Sequence, residues 1–277
     1  MKKTLFLILT SVCLINTVYA QQYEYEDRAP ARKSHHRSSH EDAGIDIDAI
    51  RIGVFFAPAM GWMHPTASRS DDRHYLVNSE GNKLGYSWGP MIEYYFAENY
   101  GISTGFMLNS VGGKISTTLN AAQVTPGPST VLATDFSYNL QFLEVPFALK
   151  LRSDPIGNSD VRIFGQLGLT LGVNIGKKAT YEVQYNNAAG VQKEVDGDNE
   201  KLSGALAIAP VMLQMNIGAG IEYPITEKMF FYTGLFFNNG FLPDATNPKN
   251  YTLGYSGTFT DGNIRLNSLG LRVGIFF

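Results

Sequence analysis

LEVPFALKL (residues 143–151), RSDPIGNSD (152–160) and VRIFGQLGLTLGVNI (161–175) run on without a break. How they are read decides the fold. In the first arm Leu143, Val145, Phe147, Leu149 and Leu151 alternate with Glu144, Pro146, Ala148 and Lys150. In the second, Val161, Ile163, Leu167, Leu169, Leu171 and Val173 alternate with Arg162, Phe164, Gln166, Gly168, Thr170, Gly172 and Asn174. A period of two means two strands, each apolar on one face. The opposite face carries Glu, Lys, Arg, Gln and Asn with glycines between them. In a water-soluble sandwich the apolar face would point inward. In a membrane barrel it meets lipid, and the polar face fills the lumen. Alternation alone does not separate these two arrangements.

The rest of the chain does. Lys2 and Lys3, an apolar run over 5–18 and the small-residue site Val18-Tyr19-Ala20 read as a removable export signal over residues 1–20. The single cysteine, Cys13, falls inside it, so no disulfide framework or cysteine metal site is expected afterwards. Val12 before Cys13 does not suit lipidation. No later segment approaches the roughly 18 continuous apolar residues of a membrane helix. Charged residues make up only 17% of the chain, against about a quarter in soluble domains, while Tyr 15 and Phe 17 are abundant. The net charge of −3 includes no basic stripe, which argues against a nucleic-acid partner. Residues 21–48 are polar, mixed in charge and poor in aliphatic residues, and read as a disordered periplasmic linker. Its His35, His36, His40, Glu41 and Asp42 are expected to be solvated, with nothing to fix them around a metal.

Beyond the linker, strands come in a regular beat: 50–62, 84–96, 100–111, 136–151, 161–175, 211–223, 229–238 and a last one ending 269–277. The apolar phase slips between Phe142 and Leu143, which suggests a bulge in the fourth strand. Connections after strands two, four and six are short (97–99, 152–160, 224–228). Those after one, three, five and seven are long (63–83, 112–135, 176–210, 240–265). A sandwich has no reason to sort its loops by parity. An outer-membrane barrel does, with long loops outside and short turns in the periplasm. The expected fold is therefore all-β: an eight-stranded antiparallel up-and-down transmembrane β-barrel over 49–277, with four long extracellular loops and three short periplasmic turns. Tyr94, Tyr95, Phe96, Tyr100, Tyr223, Phe230, Phe231 and Tyr232 crowd the short-turn end like an interfacial girdle. Phe277, with Ile275 in step behind it, looks like the terminal signal by which such barrels are assembled.

The inward faces hold Glu93, Glu144, Lys150, Arg162, Glu222 and Arg272. An eight-stranded barrel is just wide enough for side chains to fill, and buried ions must pair. These residues are expected to form a structural lumen network, Glu144 and Glu222 pairing with Arg162 and Arg272, in place of an ion path. Catalysis would want His with Ser, Asp or Glu near the outer rim. His64 and His74 lie in the first long loop with Ser68, Ser70, Asp71 and Asp72 nearby, but a loop of this kind is polar in any case. Asp196-Gly197-Asp198-Asn199-Glu200 lacks the full calcium-loop pattern and reads as an exposed acidic turn. Asn250-Tyr251-Thr252 matches a glycosylation acceptor and carries little weight. No phosphate-binding glycine loop is present.

The hairpin 143–175, preceded by YGISTGFMLNSVG (100–112), resembles the PorT-like outer-membrane beta-barrel family of Bacteroidetes. Leu143-Glu144-Val145-Pro146 and Lys150 fit one of its strand patterns, and 101–105 fits a second loosely. The resemblance spans about 50–277. It implies a barrel in the outer membrane and brings no catalytic residues. The role expected is structural or interactive and non-enzymatic, without a cofactor. Expected partners are outer-membrane lipids and lipopolysaccharide and the barrel-assembly machinery. The alternative is an accessory part in protein secretion with secretion-system partners, as the resemblance implies. A small-solute channel and an outer-membrane lipase or protease stand further back.

Overall fold

The structure, a computed structural model, describes residues 50–70, 73–157, 160–203, 208–226, 228–241 and 261–277. The signal expected at 1–20 and the linker at 21–48 with its histidines lie outside the described residues. So do Asp71, Asp72 and the 250–252 acceptor.

Among the described residues ten strands form one antiparallel sheet: β1 (Ile50–Pro65), β2 (Tyr75–Ala97), β3 (Tyr100–Gly105), β4 (Met107–Leu119), β5 (Val131–Arg152), β6 (Arg162–Asn186), β7 (Gln192–Lys201), β8 (Val211–Pro224), β9 (Phe230–Gly240) and β10 (Ile264–Phe276). Pairing of β1 with both β2 and β10 closes the sheet, so backbone groups in the wall bond to one another, as hydrocarbon demands. β3 and β4 are one course of the wall, broken only at Phe106. The break lies level with Val145, next to Pro146, which has no N–H to give, and the Thr104 hydroxyl donates to the Pro146 carbonyl at 2.8 Å. Counted this way the ring has eight staves, with β7 outside it, paired only to the upper part of β6.

In the lower part of the ring, odd residues 143–151 of β5 and 167–175 of β6 point outward and are exposed apolar side chains. Inside lie Phe55, Met91, Met107, Phe164, Tyr232, Phe236 and Phe276. Several rings lie over glycines of a neighbouring strand. A Cβ on Gly218 would fall 2.4 Å from the Phe236 ring, and one on Gly274 2.4 Å from Tyr232. Small residues on one strand thus make the room that large ones on the next fill.

The upper part differs from expectation. Strands β2, β4, β5 and β6 continue well beyond the expected ends, and β7 adds to them, so most of three expected long loops is sheet. The 22 residues of β5 are about twice the roughly 9–11 that cross a membrane. Above the band the sense of alternation is reversed. Phe136, Tyr138, Leu140 and Phe142 point inward and are 0–2% exposed, while Asp135, Ser137, Asn139 and Gln141 point outward. β5 itself does not slip phase. Its burial alternates straight through residues 142 and 143, and only the chemistry of the two faces is exchanged there. A bulge does exist at this height, but on the partner strand: Gln141 pairs with Gly176 and Phe142 with Asn174, leaving Ile175 extra. The upper strands make a five-stranded sheet in the order β2-β4-β5-β6-β7, with a second core of its own that includes Val77, Ile115, Tyr181, Val183 and Leu266.

Candidate functional site

Two constellations of polar side chains stand out, one inside the lower ring and one on the outer face of the upper sheet. In the lower ring, inward positions on β2, β5 and β8 bring Glu93, Lys150 and Glu222 together. The Lys150 ammonium donates to Glu93 Oε1 at 2.6 Å and to Glu222 Oε1. Arg51 NH1 approaches Glu222 Oε2 at 3.6 Å, and the Tyr95 hydroxyl donates to Glu93 Oε2 at 3.0 Å. Two carboxylates thus face two cations, with Glu93, Lys150 and Glu222 buried and Arg51 partly exposed, and pairing is the condition under which buried ions are tolerated. Aromatic faces complete the enclosure. Lys150 Nζ lies 4.3 Å from the centre of the Phe164 ring, and the Arg51 guanidinium 4.0 Å from that of Phe230.

One tier higher, the Asn109 amide donates to Glu144 Oε1 at 2.7 Å, and the Arg272 guanidinium lies between Phe236 at 3.9 Å and Phe55 at 4.4 Å. Above that, amides form a relay: Gln166 donates to Asn216 at 3.1 Å, Asn216 to Asn238 at 2.6 Å, and Asn238 to the Ser268 hydroxyl at 3.2 Å.

Of the six lumen residues named from sequence, Glu93, Lys150 and Glu222 meet directly. Glu144 and Arg272 sit in the tier above. Arg162 stands at the turn-end rim, where its guanidinium reaches Asn99 Oδ1 at 3.5 Å. Glu222 is held by Lys150 and Arg51 in place of the arginines expected, while Glu144 accepts from Asn109 and lies within electrostatic reach of Arg272. Arg51 was missed, although it lies two residues before Gly53 on the inward face of β1. Tyr95 and Tyr232 belong inside, not in a lipid-facing girdle, whereas Phe96, Tyr100 and Tyr223 are exposed outward. Phe277 is exposed, its N–H donating to the Ile52 carbonyl at 2.8 Å, and Ile275 is half-buried on the outer side.

The upper sheet sorts its outward charges by height. At the level where Asn139 faces Lys178 and Lys178 faces Lys201, the ionic groups are lysines. Lys83 joins them from β2, donating to the Ser137 hydroxyl at 2.9 Å. Burial and the nearby Lys114 lower the pKa of Lys83 from its ordinary value. Further out, Asp135 faces Glu182 and Glu182 faces Asp196, with Glu80 accepting from the Ser116 hydroxyl at 2.7 Å. Burial, then the carboxylates of Glu182 and Glu80, raise the pKa of Asp135. Tyr181 is pushed up to about 12 by burial and by its 2.7 Å bond to Glu200.

The 196–200 acidic segment is strand, not the expected turn. It is paired to β6, with Gly197 packed under the Tyr181 ring. Among the described residues no group of three or more acidic or histidine side chains converges to hold a metal. His64 and His74 are exposed, and Ser70 is buried with its hydroxyl accepting the Tyr75 N–H at 3.0 Å.

With this geometry in place, comparison with known proteins gives the class. Residues 39–241 match the outer membrane protein beta-barrel domain family, and the chain belongs to it. No curated protein matches the chain. Among solved structures it is similar to the outer membrane protein OprG from Pseudomonas aeruginosa (12% identity, 83% of this chain and 98% of that one, TM-score 0.37). It is similar also to Neisserial surface protein A (12%, 83% and 97%, 0.36) and to the outer membrane protease OmpT from Escherichia coli (10%, 86% and 99%, 0.35). At these distances the likeness brings no role with it.

Proposed function

We propose that this protein is a sealed, non-enzymatic barrel that anchors a charged sheet at the cell surface, a structural and interaction element of the outer membrane. The observation that carries this reading is the reversal of polarity along β5 at 142/143, which makes a water-facing sheet continuous with the lipid-facing wall. Export by the 1–20 signal, contact with outer-membrane lipids and lipopolysaccharide, and assembly through a terminal signal at Phe277 and Ile275 belong to the same reading. The three filled tiers of the lumen argue against a solute channel. Outward placement of the upper sheet is tested by impermeant maleimide on intact cells. With Cys13 replaced, cysteine at Asp198 should label and cysteine at Thr226 should not; the opposite pattern overturns the orientation. In planar bilayers the purified protein should give no discrete channel steps.

A secretion accessory role is the second reading, prompted by the PorT-like pattern at 143–146 and Lys150. Glu144 and Lys150, its two charged members, are lumen-filling residues here, which accounts for the pattern by the fold alone. A deletion strain that loses export of its usual cargo would favour the accessory role over the anchor.

A further inference from the structure

We infer that the lysine tier of the upper sheet is a binding site for the phosphorylated headgroup of an outer-leaflet glycolipid. The inference rests on the orientation proposed above. It starts from where the lysines stand. Leu143 is the last outward apolar residue of β5, and Asn139, level with Lys178 and Lys201, lies four residues further along. At about 3.3 Å per residue and a tilt of about 40° this is on the order of 10 Å above the hydrocarbon edge. A lysine side chain leaning towards the membrane covers much of that height, so its ammonium falls in the headgroup layer.

The surroundings are shaped for such a ligand. Lys177, Lys178 and Lys201 line an open cleft of about 510 Å³ with Asn139, Gln141 and Ser110, and no carboxylate lines it. Ile175, the extra residue of the β6 bulge, forms its membrane-side edge and is exposed. Beside it a smaller groove of about 250 Å³ shares Ile175, Lys177 and Lys201 and adds Ile208 and Pro210. The pair therefore offers cations and amide donors above and an apolar margin below, which is the polarity of a lipid at its glycerol or sugar boundary. Carboxylates gather outside this cleft: Asp198 accepts from the Thr180 hydroxyl at 3.0 Å two residues above Lys178, and Asp135 and Glu182 face each other two residues further out.

The test uses the full mature protein in neutral detergent micelles, titrated with bisphosphorylated lipid A, dephosphorylated lipid A or inorganic phosphate. Binding is read by native mass spectrometry. Bisphosphorylated lipid A should bind, and Lys178→Gln with Lys201→Gln should weaken it about 25-fold, at about fivefold per lysine near a charged surface. Lys178→Arg with Lys201→Arg should retain binding, and Asp135→Asn with Glu182→Gln should not weaken it. Equal binding by the double Gln variant, or equal binding of dephosphorylated lipid A, overturns the proposal. Inorganic phosphate binding as tightly as the lipid overturns the choice of a lipid. Cysteine at Asp198, outside the lysine cleft, separates the two readings. If it resists maleimide on intact cells the anchor orientation fails as well; if it labels while the lipid does not bind, only the headgroup assignment fails.

Discussion

The lower ring and the upper sheet are built from the same strands, with the same period of two, and they obey opposite rules. On β5 the outward face reads Leu143, Val145, Phe147, Leu149, Leu151 below and Asp135, Ser137, Asn139, Gln141 above. The inward face reads Glu144 and Lys150 below and Phe136, Tyr138, Leu140, Phe142 above. Period reports only that a strand has two faces. The sense of the alternation reports which solvent each face meets. The height at which the sense changes marks where lipid gives way to water.

The largest expected effect breaks the lower region from inside. Lys150→Ala leaves Glu93 and Glu222 buried without the cation that bridges them, and should cost about 3–5 kcal/mol by urea unfolding in lipid vesicles. Adding Glu93→Gln and Glu222→Gln should recover much of that loss. A cost under about 1 kcal/mol would mean water reaches these groups.

A pair of substitutions on one face of one strand sharpens the contrast. Phe147→Arg places a charge in the lipid band and should cost about 2–4 kcal/mol. Ser137→Arg, ten residues away and equally outward, gives up the Lys83 hydrogen bond and adds a cation beside it, yet should still cost under about 1 kcal/mol. Equal costs would remove the difference between the regions.

The smallest effect belongs to the acid tier. The folded-state pKa of Asp135 lies above its unfolded value, so the folded sheet binds that proton more tightly. Its contribution is fully present below about pH 3.9 and is lost as pH rises through the higher folded value. Amide exchange in upper β5 and β6, corrected for intrinsic rates, should therefore show slightly less protection at pH 7 than at pH 4. Asp135→Asn should flatten the trend; a trend of opposite sign would contradict it.

Sequence reading found the ring because its lipid-facing alternation is long and uniform, and because loop parity holds. It lost the upper sheet because the apolar residues of 131–142 and 177–186 sit on the other face, so a reader following one face meets a broken pattern. β7 was hidden for a different reason. QKEVDGDNEK has one aliphatic side chain, Val195, and becomes strand through pairing with β6. The lumen ions were legible one at a time, by face. Their partners were not, since the meeting of Lys150 with Glu222, 72 residues on, depends on the stagger between strands that closes the ring. Arg162 shows the same limit: it is on the expected strand, yet it stands at the rim and reaches the β2–β3 turn.

The reversal itself is best tested by spin labels at single cysteines on successive residues of 135–151, in bilayers, with accessibility read to oxygen and to a water-soluble nickel chelate. Odd positions 143–151 should be oxygen-accessible and odd positions 135–141 nickel-accessible, with even positions protected throughout. Protection that moves to odd positions above residue 142, or oxygen-accessible labels at 135–139, would contradict a single strand passing from lipid into water without changing its faces.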